Sequence, residues 1–158
     1  MNRRTVLAGG GAATAIALLF SGSASAAPRR FPVALSDAQW RRRLGPERYR
    51  ILRQAGTERA YTSPLDKERR RGLYACAGCA NPLFSSATKY DSGTGWPSFY
   101  RALPRAVVTR TDRLFGMERT EALCARCGGH LGHVFRDGPR PTGLRYCMNG
   151  LALRFSPA

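Results

Sequence analysis

The side chains best suited to chemistry in this sequence are its five cysteines and two histidines. Four cysteines form two pairs with two residues between the sulfurs, Cys76 with Cys79 and Cys124 with Cys127. Two such pairs are typical of a closed, tetrahedral zinc site. Because all four ligands would be thiolates, no position remains for water, and the site is predicted to be structural. Disulfides or bound iron are the alternatives.

The spacing between the two pairs predicts how this metal site is built. Cys79 and Cys124 are separated by 44 residues, more than the roughly 15–20 of a simple zinc ribbon. Each pair should therefore end a separate hairpin. The metal would then join two parts of the fold that are distant in sequence.

The fifth cysteine, Cys147, has no partner and lies in a run that alternates like a β-strand. If the run from Arg145 to Asn149 is extended, these two residues and Cys147 share one face, while Tyr146 and Met148 point to the core. A thiol beside a fixed positive charge ionises more easily and becomes a nucleophile. The sequence therefore predicts a reactive thiol at Cys147.

The two histidines, His130 and His133, follow the second cysteine pair in a glycine-rich segment. The glycines would allow a ligand to approach the backbone closely. The histidines could bind a second metal, fill the core, or donate protons near Cys147. Attachment to a rigid metal site suits residues that must be held accurately.

The loop from Lys89 to Phe99 carries Trp96 between glycine and proline. Exposed aromatic side chains in a loop, here Trp96 and Phe99, are typical of a pocket wall for an apolar group. The alternative is that Trp96 fills the core.

The elements that must position these residues are short. Ser36 and Gln39 form a capping-box pattern, which predicts a helix that ends at Gly45, followed by a second helix opened by Pro46 and ended by Gly56. Turn residues beyond Gly72 delimit short strands, with a hairpin turn at 111–113. The predicted strands are Leu73–Ala75, Leu83–Ser85, Ala106–Thr111, Leu114–Arg119, Glu121–Cys124, Leu131–Phe135, Leu144–Met148 and Leu151–Phe155. The predicted fold class is mainly β and antiparallel, with a short helical N-terminal part.

Residues 1–26 have the features of an export signal: Arg3 and Arg4, a short apolar segment, and small residues at 24–26. The paired arginines favour the twin-arginine route, with cleavage after Ala26. An uncleaved membrane anchor is the alternative, but three consecutive glycines and weak hydrophobicity argue against it. We expect an exported bacterial protein, periplasmic or extracellular, with a linker at 27–35 and one domain at 36–158.

The net charge of the full chain is +16. Without the signal, 24 basic residues remain against 10 acidic ones, and all basic residues but Lys67 and Lys89 are arginines. This balance could indicate nucleic-acid binding, but export makes nucleic acid a poor partner. We therefore interpret the arginines as a solvated surface and expect no specific nucleic-acid partner and only transient membrane contact during export.

Six motifs, in order along about residues 36–156, resemble those of the B-type methionine-R-sulfoxide reductases. The motifs are Cys76-x-x-Cys79, the Ser92–Phe99 segment, Arg119-Thr120-Glu121, Cys124-x-x-Cys127, His130–Phe135 and Arg145-Tyr146-Cys147-x-Asn149. The resemblance implies a β-tent fold of two antiparallel sheets with N-terminal helices and one structural zinc per chain. It also implies reduction of the R epimer of methionine sulfoxide in oxidised proteins or peptides.

The resemblance also assigns roles to individual residues. Cys147 would attack the sulfoxide sulfur and become a sulfenic acid. His130, His133 and Asn149 would bind and protonate the sulfoxide oxygen, which leaves poorly until it is protonated. Arg145 would help to keep the thiolate charged. Trp96 would receive the substrate methyl group, with Phe99 as a further aromatic residue of the pocket.

Two features depart from the family pattern. Many relatives carry a resolving cysteine where this chain has Thr94, and this chain has no spare cysteine, so we expect an external thiol, such as a thioredoxin-like protein, to reduce the sulfenic acid. Met148 and Gly150 replace the usual isoleucine and serine, with minor expected effects and a looser turn at Gly150.

We expect a monomer. The rival hypotheses are a zinc-ribbon-like module that binds an anionic partner and a thiol-disulfide exchanger that uses the cysteine pairs.

Overall fold

The protein is described by a computed structural model that covers residues 30–113 and 116–158. The predicted export signal, residues 1–26, lies outside this part of the chain, as does the start of the predicted linker. Within the described residues, no helix is long and apolar enough to cross a membrane.

Helix α1 spans Asp37–Gln54 and is bent where the sequence predicts a break between two helices. Its capping box is formed, because the Gln39 amide donates to the Ser36 hydroxyl and the Ser36 amide donates to the Gln39 side chain. Gly45 has non-helical angles, φ 67° and ψ 173°, directly before Pro46. The helix buries an apolar face of five residues: Trp40, Leu44, Tyr49, Ile51 and Leu52.

The helix ends at Gln54, as predicted, but its C-terminal cap is not the predicted glycine. Ala55 takes the left-handed conformation at the C-terminal cap, with φ 51°, and not Gly56. The Gly56 amide then donates to the Arg50 carbonyl at 3.0 Å. This places the segment after the helix beside β7, against which α1 packs.

The described residues form nine strands in two antiparallel sheets, and the two sheets agree with the predicted fold class. They are β1 Gly72–Cys76, β2 Pro82–Ser85, β3 Lys89–Tyr90, β4 Ser98–Phe99, β5 Val107–Asp112, β6 Arg119–Cys124, β7 His130–Phe135, β8 Arg145–Met148 and β9 Leu153–Pro157. The first sheet has the order β2-β1-β9, and the second has the order β3-β4-β8-β7-β6-β5. Strand β8 therefore lies between β4 and β7 in the larger sheet.

The predicted strand 114–119 and the predicted turn at 111–113 are wrong. Residues 114 and 115 lie outside the described chain, and Gly116 has φ 72°, which interrupts an extended run. Arg119 begins the continuous strand β6, and it pairs with Asp112 at the end of β5. The hairpin connection therefore runs through residues 113–118.

Other differences from the prediction concern the start of the last strand and two short strands. Residues Gly150–Ala152 form a short 3-10 turn, so the last strand starts at Leu153 and not at Leu151. Strands β3 and β4 were not predicted, because two residues each are too few to show an alternating pattern.

An aromatic cluster in the core contains one residue that was predicted to contact substrate. Phe99 is fully buried and stacks on Phe84, with ring centroids 4.3 Å apart. Its ring also meets Tyr74 edge-on at 4.9 Å. The structure therefore places Phe99 in the core between the two sheets.

Candidate active site

The four paired cysteines meet in one buried cluster that joins the two sheets. Cys76 ends β1 in the smaller sheet, Cys124 ends β6 in the larger sheet, and Cys79 and Cys127 lie in the turns that follow. The four Sγ atoms lie within 4.8 Å of one another, and two of the separations are 3.7 and 3.5 Å. Zn–S bonds of about 2.3 Å in a tetrahedron require sulfurs about 3.8 Å apart.

The donor set and geometry fit a structural zinc ion, as the sequence predicts. Each cysteine is buried, and a buried, closed set of four thiolates leaves no ligand position for substrate or water. The Asn81 amide donates to the Cys124 sulfur at 3.6 Å, which supports the charge on that thiolate. All five cysteines are free of disulfides.

Cys147 lies in the middle of the larger sheet, away from the four paired cysteines. In β8 it stands opposite His133 of β7 on one side and opposite Ser98 of β4 on the other. It is half-buried at a cleft of about 150 Å³. The cleft is lined by Thr57, Trp96, Arg119, Gly132, His133, Phe135, Cys147, Met148 and Asn149.

The glycine at position 132 lets β7 lie close to the strand that carries Cys147. Its φ is 153°, and a Cβ atom there would lie 2.1 Å from the Cys147 carbonyl oxygen. We expected the glycines of this segment to admit a ligand. For Gly132 the close neighbour is instead the backbone of β8, so this glycine fixes the distance between His133 and Cys147.

His133 is the histidine that lines the cleft. Its Nε2 lies 2.9 Å from the Asp112 carboxylate, which also accepts from the Arg119 guanidinium at 2.6 Å. A carboxylate partner requires the proton on Nε2, so Nδ1 is the ring nitrogen left for a substrate. Burial lowers the pKa of His133, and the Asp112 contact opposes that effect.

His130 is buried behind His133 and is absent from the cleft lining. Its Nδ1 lies 2.7 Å from the Glu121 carboxylate, and its ring centroid is 5.4 Å from that of His133. Its buried Nε2 has no hydrogen-bond partner among the described residues. Burial pushes the pKa of Glu121 up, but hydrogen bonds from His130 and Arg110 outweigh it and leave that pKa below its ordinary value.

Asn149 lines the cleft, but its amide group is bonded to the backbone. Its Oδ1 accepts from the Glu58 amide at 2.9 Å, and its Nδ2 donates to the Leu131 carbonyl at 3.2 Å and to the Gly56 carbonyl at 3.5 Å. Both amide hydrogens are therefore directed at protein atoms. In this geometry Asn149 ties β8 to β7 and to the segment after α1.

Arg145 forms an ion pair with a carboxylate. Its guanidinium makes two hydrogen bonds to Asp137, at 2.9 and 2.7 Å, and lies 4.3 Å from the centre of the Phe135 ring. Only 12% of the Arg145 side chain is exposed. The ion pair fixes the guanidinium beside Cys147 while it neutralises part of the positive charge.

Burial raises the pKa of the Cys147 thiol above its ordinary value. Hydrogen bonds with Thr94, Arg145 and Ser98, together with the Arg145 charge, act in the opposite direction without cancelling it. The positive charge of Arg145 therefore does not bring the pKa of Cys147 below its ordinary value, contrary to the prediction. The free protein therefore holds Cys147 mainly as a thiol at neutral pH.

Trp96 forms a wall of the cleft and is held there by a residue that the sequence analysis missed. Its indole N–H donates to the Glu58 carbonyl at 3.1 Å. The buried Glu58 carboxylate accepts from the amides of Gly150 and Leu151. Position 150 is tightly packed and not loose, because a Cβ there would lie 1.8 Å from the Ser63 hydroxyl oxygen.

Asp112 and Glu121 were also missed as partners of the histidines. Glu121 belongs to the Arg119-Thr120-Glu121 motif, which the sequence analysis quoted without a role for its members. Asp112 was taken as a turn residue. Glu121 lies on β6, next to β7, and Asp112 lies on β5, one strand further away, so their contacts with the histidines could have been proposed only after the order of these strands was known.

A larger cavity, with a volume of about 750 Å³, lies elsewhere. Its lining contains neither cysteine nor histidine and includes residues of α1 and β9. The smaller cleft at Cys147 is therefore the candidate active site, because it combines a nucleophile, an acid and an apolar wall.

A family profile and several known proteins resemble this chain over most of its length. The family profile described as the SelR domain matches residues 44–157. A protein of Thiobacillus denitrificans named peptide methionine sulfoxide reductase MsrB is 63% identical over 77% of this chain and 93% of its own length. Proteins of the same name from Leptospira interrogans and Agrobacterium fabrum are 59% and 57% identical, over 96% and 91% of their lengths and 79% and 77% of this chain.

Proposed function

The chain belongs to the SelR family of peptide methionine sulfoxide reductases, and from that premise we propose that it reduces the R epimer of methionine sulfoxide in proteins and peptides. The observation that carries the proposal is the position of Cys147. It is the single cysteine of the described chain outside the zinc cluster, and it opens into a cleft with Trp96 and His133.

The first step transfers oxygen from the substrate to Cys147. The Cys147 thiolate attacks the sulfoxide sulfur, and a proton is delivered to the sulfoxide oxygen. The attack forms an S–S bond between Cys147 and the substrate sulfur. The S–O bond of the substrate then breaks, an S–O bond to Cys147 forms, and the S–S bond breaks with its electron pair left on the methionine sulfur. Methionine leaves reduced by two electrons, and Cys147 is oxidised by two electrons to a sulfenic acid.

His133 is the proposed proton donor, since it lines the cleft beside Cys147 and its Nδ1 is not engaged. Asp112 supports the protonated form, because a carboxylate on Nε2 stabilises positive charge on the ring. We assign supporting roles to the other predicted residues. His130 packs behind His133, Asn149 fixes the β8 backbone, and Arg145 supplies positive charge near the thiolate.

Selection of one epimer follows from three fixed positions around the substrate sulfur. The sulfur would face Cys147, the oxygen would face His133, and the methyl group would contact Trp96. The remaining substituent, the side-chain methylene, must then point to the mouth of the cleft. Only one configuration at sulfur meets all three conditions, and the family resemblance identifies it as R.

The second step requires a thiol from outside the chain. Thr94 occupies the position of the resolving cysteine in many relatives, and the other four cysteines are the zinc ligands. A thioredoxin-like protein or another thiol would attack the sulfenic sulfur and release water, and a second thiol would then restore Cys147. We also propose that the protein is monomeric and works after export, in the periplasm or outside the cell, where the export signal would direct it.

Replacement of the nucleophile tests this proposal. Cys147→Ser is expected to abolish reduction of methionine sulfoxide in a dithiothreitol-coupled assay while zinc content stays at one ion per chain. Retained turnover would exclude Cys147 as the nucleophile. Salt-sensitive nucleic-acid binding without turnover by the unmodified protein would favour the anionic-partner hypothesis. Disulfides in the cysteine pairs and less than one zinc per chain would favour a thiol-disulfide exchanger.

A further inference from the structure

Three hydroxyl groups form a row that ends at the sulfur of Cys147. The Thr94 hydroxyl oxygen lies 3.8 Å from the Cys147 Sγ. The Ser92 hydroxyl lies 2.8 Å from Thr94 Oγ1 and 2.8 Å from the Ser98 hydroxyl. Ser98 in turn donates to the Trp96 carbonyl at 3.1 Å. We refer to Ser92, Thr94 and Ser98 as the hydroxyl chain.

When Ser98 donates to the Trp96 carbonyl, the number of hydrogens sets the direction of the other hydrogen bonds in this row. Each hydroxyl has one hydrogen to donate. Because Ser98 donates to the Trp96 carbonyl, Ser92 must donate to Ser98, and Thr94 must donate to Ser92. The contact between Thr94 and Cys147 can then be a hydrogen bond only if the thiol donates. This direction of the hydrogen bonds therefore suits protonated Cys147.

An ionised sulfur has no hydrogen and can only accept. Its contact with Thr94 is then favourable only if Thr94 donates to it. Ser92 must turn its hydrogen to Thr94, and Ser98 must turn its hydrogen to Ser92. These changes are rotations of hydroxyl hydrogens and move no heavier atom. The row loses the bond to the Trp96 carbonyl and gains a hydrogen bond to a charged acceptor, which is stronger than a neutral one.

We propose that the hydroxyl chain reverses its direction when Cys147 ionises and thereby stabilises the thiolate that attacks the substrate. The proposal rests on the proposed function in that Cys147 is the nucleophile. Thr94 is then a catalytic residue, because it touches the reacting sulfur. Ser92 is a positioning residue, because it acts through Thr94, whereas Ser98 also lies beside Cys147 itself.

The hydroxyl chain stabilises negative charge on Cys147, which the Arg145–Asp137 ion pair does only in part. Of the charged and titratable groups that face this thiol, Arg145 lies on the same strand and is paired with Asp137, His133 lies on β7, and Tyr90 lies on β3. None of them belongs to the hydroxyl chain. Variants in the hydroxyl chain should therefore leave these groups in place, and a change in thiol ionisation can be attributed to the hydroxyls.

The test is the pH dependence of Cys147 alkylation by iodoacetamide on the zinc-loaded protein, with intact mass to confirm a single adduct. Thr94→Val keeps the shape and removes the donor, and it is expected to raise the apparent pKa of Cys147 by about one unit. Ser92→Ala removes only the second link and should give a smaller rise. Thr94→Ser should titrate like the unmodified protein, as should Thr109→Val, a control on the exposed side of β5.

An unchanged apparent pKa in both Thr94→Val and Ser92→Ala would overturn the proposal. If Thr94→Val does not fold, the Ser92→Ala titration tests the proposal by itself. Ser92 is half-buried, and loss of its hydroxyl opens little space. The alkylation assay does not depend on methionine sulfoxide. A protein that failed to reduce the substrate, but showed the expected pKa changes, would refute the proposed function and leave the role of the hydroxyl chain standing.

Discussion

Glu58→Gln is expected to destabilise the fold although this residue takes no part in the reaction. Its buried carboxylate accepts from the amides of Gly150 and Leu151, which follow β8. Its own backbone binds the Asn149 side chain and the Trp96 indole, at 2.9 and 3.1 Å. One residue therefore links the segment after α1 to two sides of the cleft.

The size of the effect follows from the hydrogen bonds that are lost. A glutamine keeps one acceptor oxygen, so one of the two amides meets an N–H₂ group and remains unpaired. A hydrogen bond to a charged group contributes roughly 1.5–3 kcal/mol to stability. Burial of a neutral amide costs less than burial of a carboxylate, which offsets part of the loss. We therefore expect a net loss of about 2 kcal/mol in the free energy of unfolding.

Urea unfolding of the zinc-loaded protein measures this change. At this chain length the loss corresponds to a fall in melting temperature of about 4–8 °C. Glu118→Gln is the matched control, since that carboxylate is exposed and pairs only with exposed Arg113 among the described residues. An unchanged urea midpoint in Glu58→Gln, or an equal shift in the control, would refute the reasoning.

Three further predictions concern the cleft and the metal. Between the lowered pKa of His133 and the raised pKa of Cys147, the product of the imidazolium and thiolate fractions is constant. The single-turnover rate of reduction should therefore be flat around neutral pH. It should fall below the pKa of His133, where thiolate is lost, and above the pKa of Cys147, where imidazolium is lost. A rate that declines steadily through neutral pH contradicts this. Cys124→Ala should lose zinc and most of the stability, since metal binding is part of the folding energy; a zinc-free variant with an unchanged melting temperature would argue against it. Thr94→Cys should form an internal disulfide with Cys147 after one turnover, because the two side chains are within 3.8 Å; thiol titration that shows one lost thiol instead of two would count against that geometry.

The sequence predicted those features that depend on local spacing. Two cysteine pairs and the turns around them were enough to predict a metal site that joins distant hairpins, and the structure places the pairs at the ends of β1 and β6. The bend of α1 at Gly45 followed from the Gly-Pro step. Cys147 was singled out because it is the cysteine that remains after the two pairs, in a run that alternates like a strand.

The partners of these residues could not be predicted in the same way. Asp112 and Glu121 meet the histidines only through strand pairing, and Glu58 reaches Gly150 across 92 positions of the chain. The spacing of residues along one segment does not predict contacts with a distant segment. The balance between burial and charge at Cys147 was missed for a related reason, because the burial depends on β4 and β7 packing on either side of β8.

The most direct test of the account is turnover on peptides that carry separated R and S epimers of methionine sulfoxide. With dithiothreitol as reductant, the zinc-loaded protein is predicted to reduce the R epimer repeatedly and to leave the S epimer unchanged. Without reductant, it should release one methionine per chain and hold Cys147 as a sulfenic acid. Reduction of the S epimer, or release of methionine with Cys147 still a free thiol, would contradict the account.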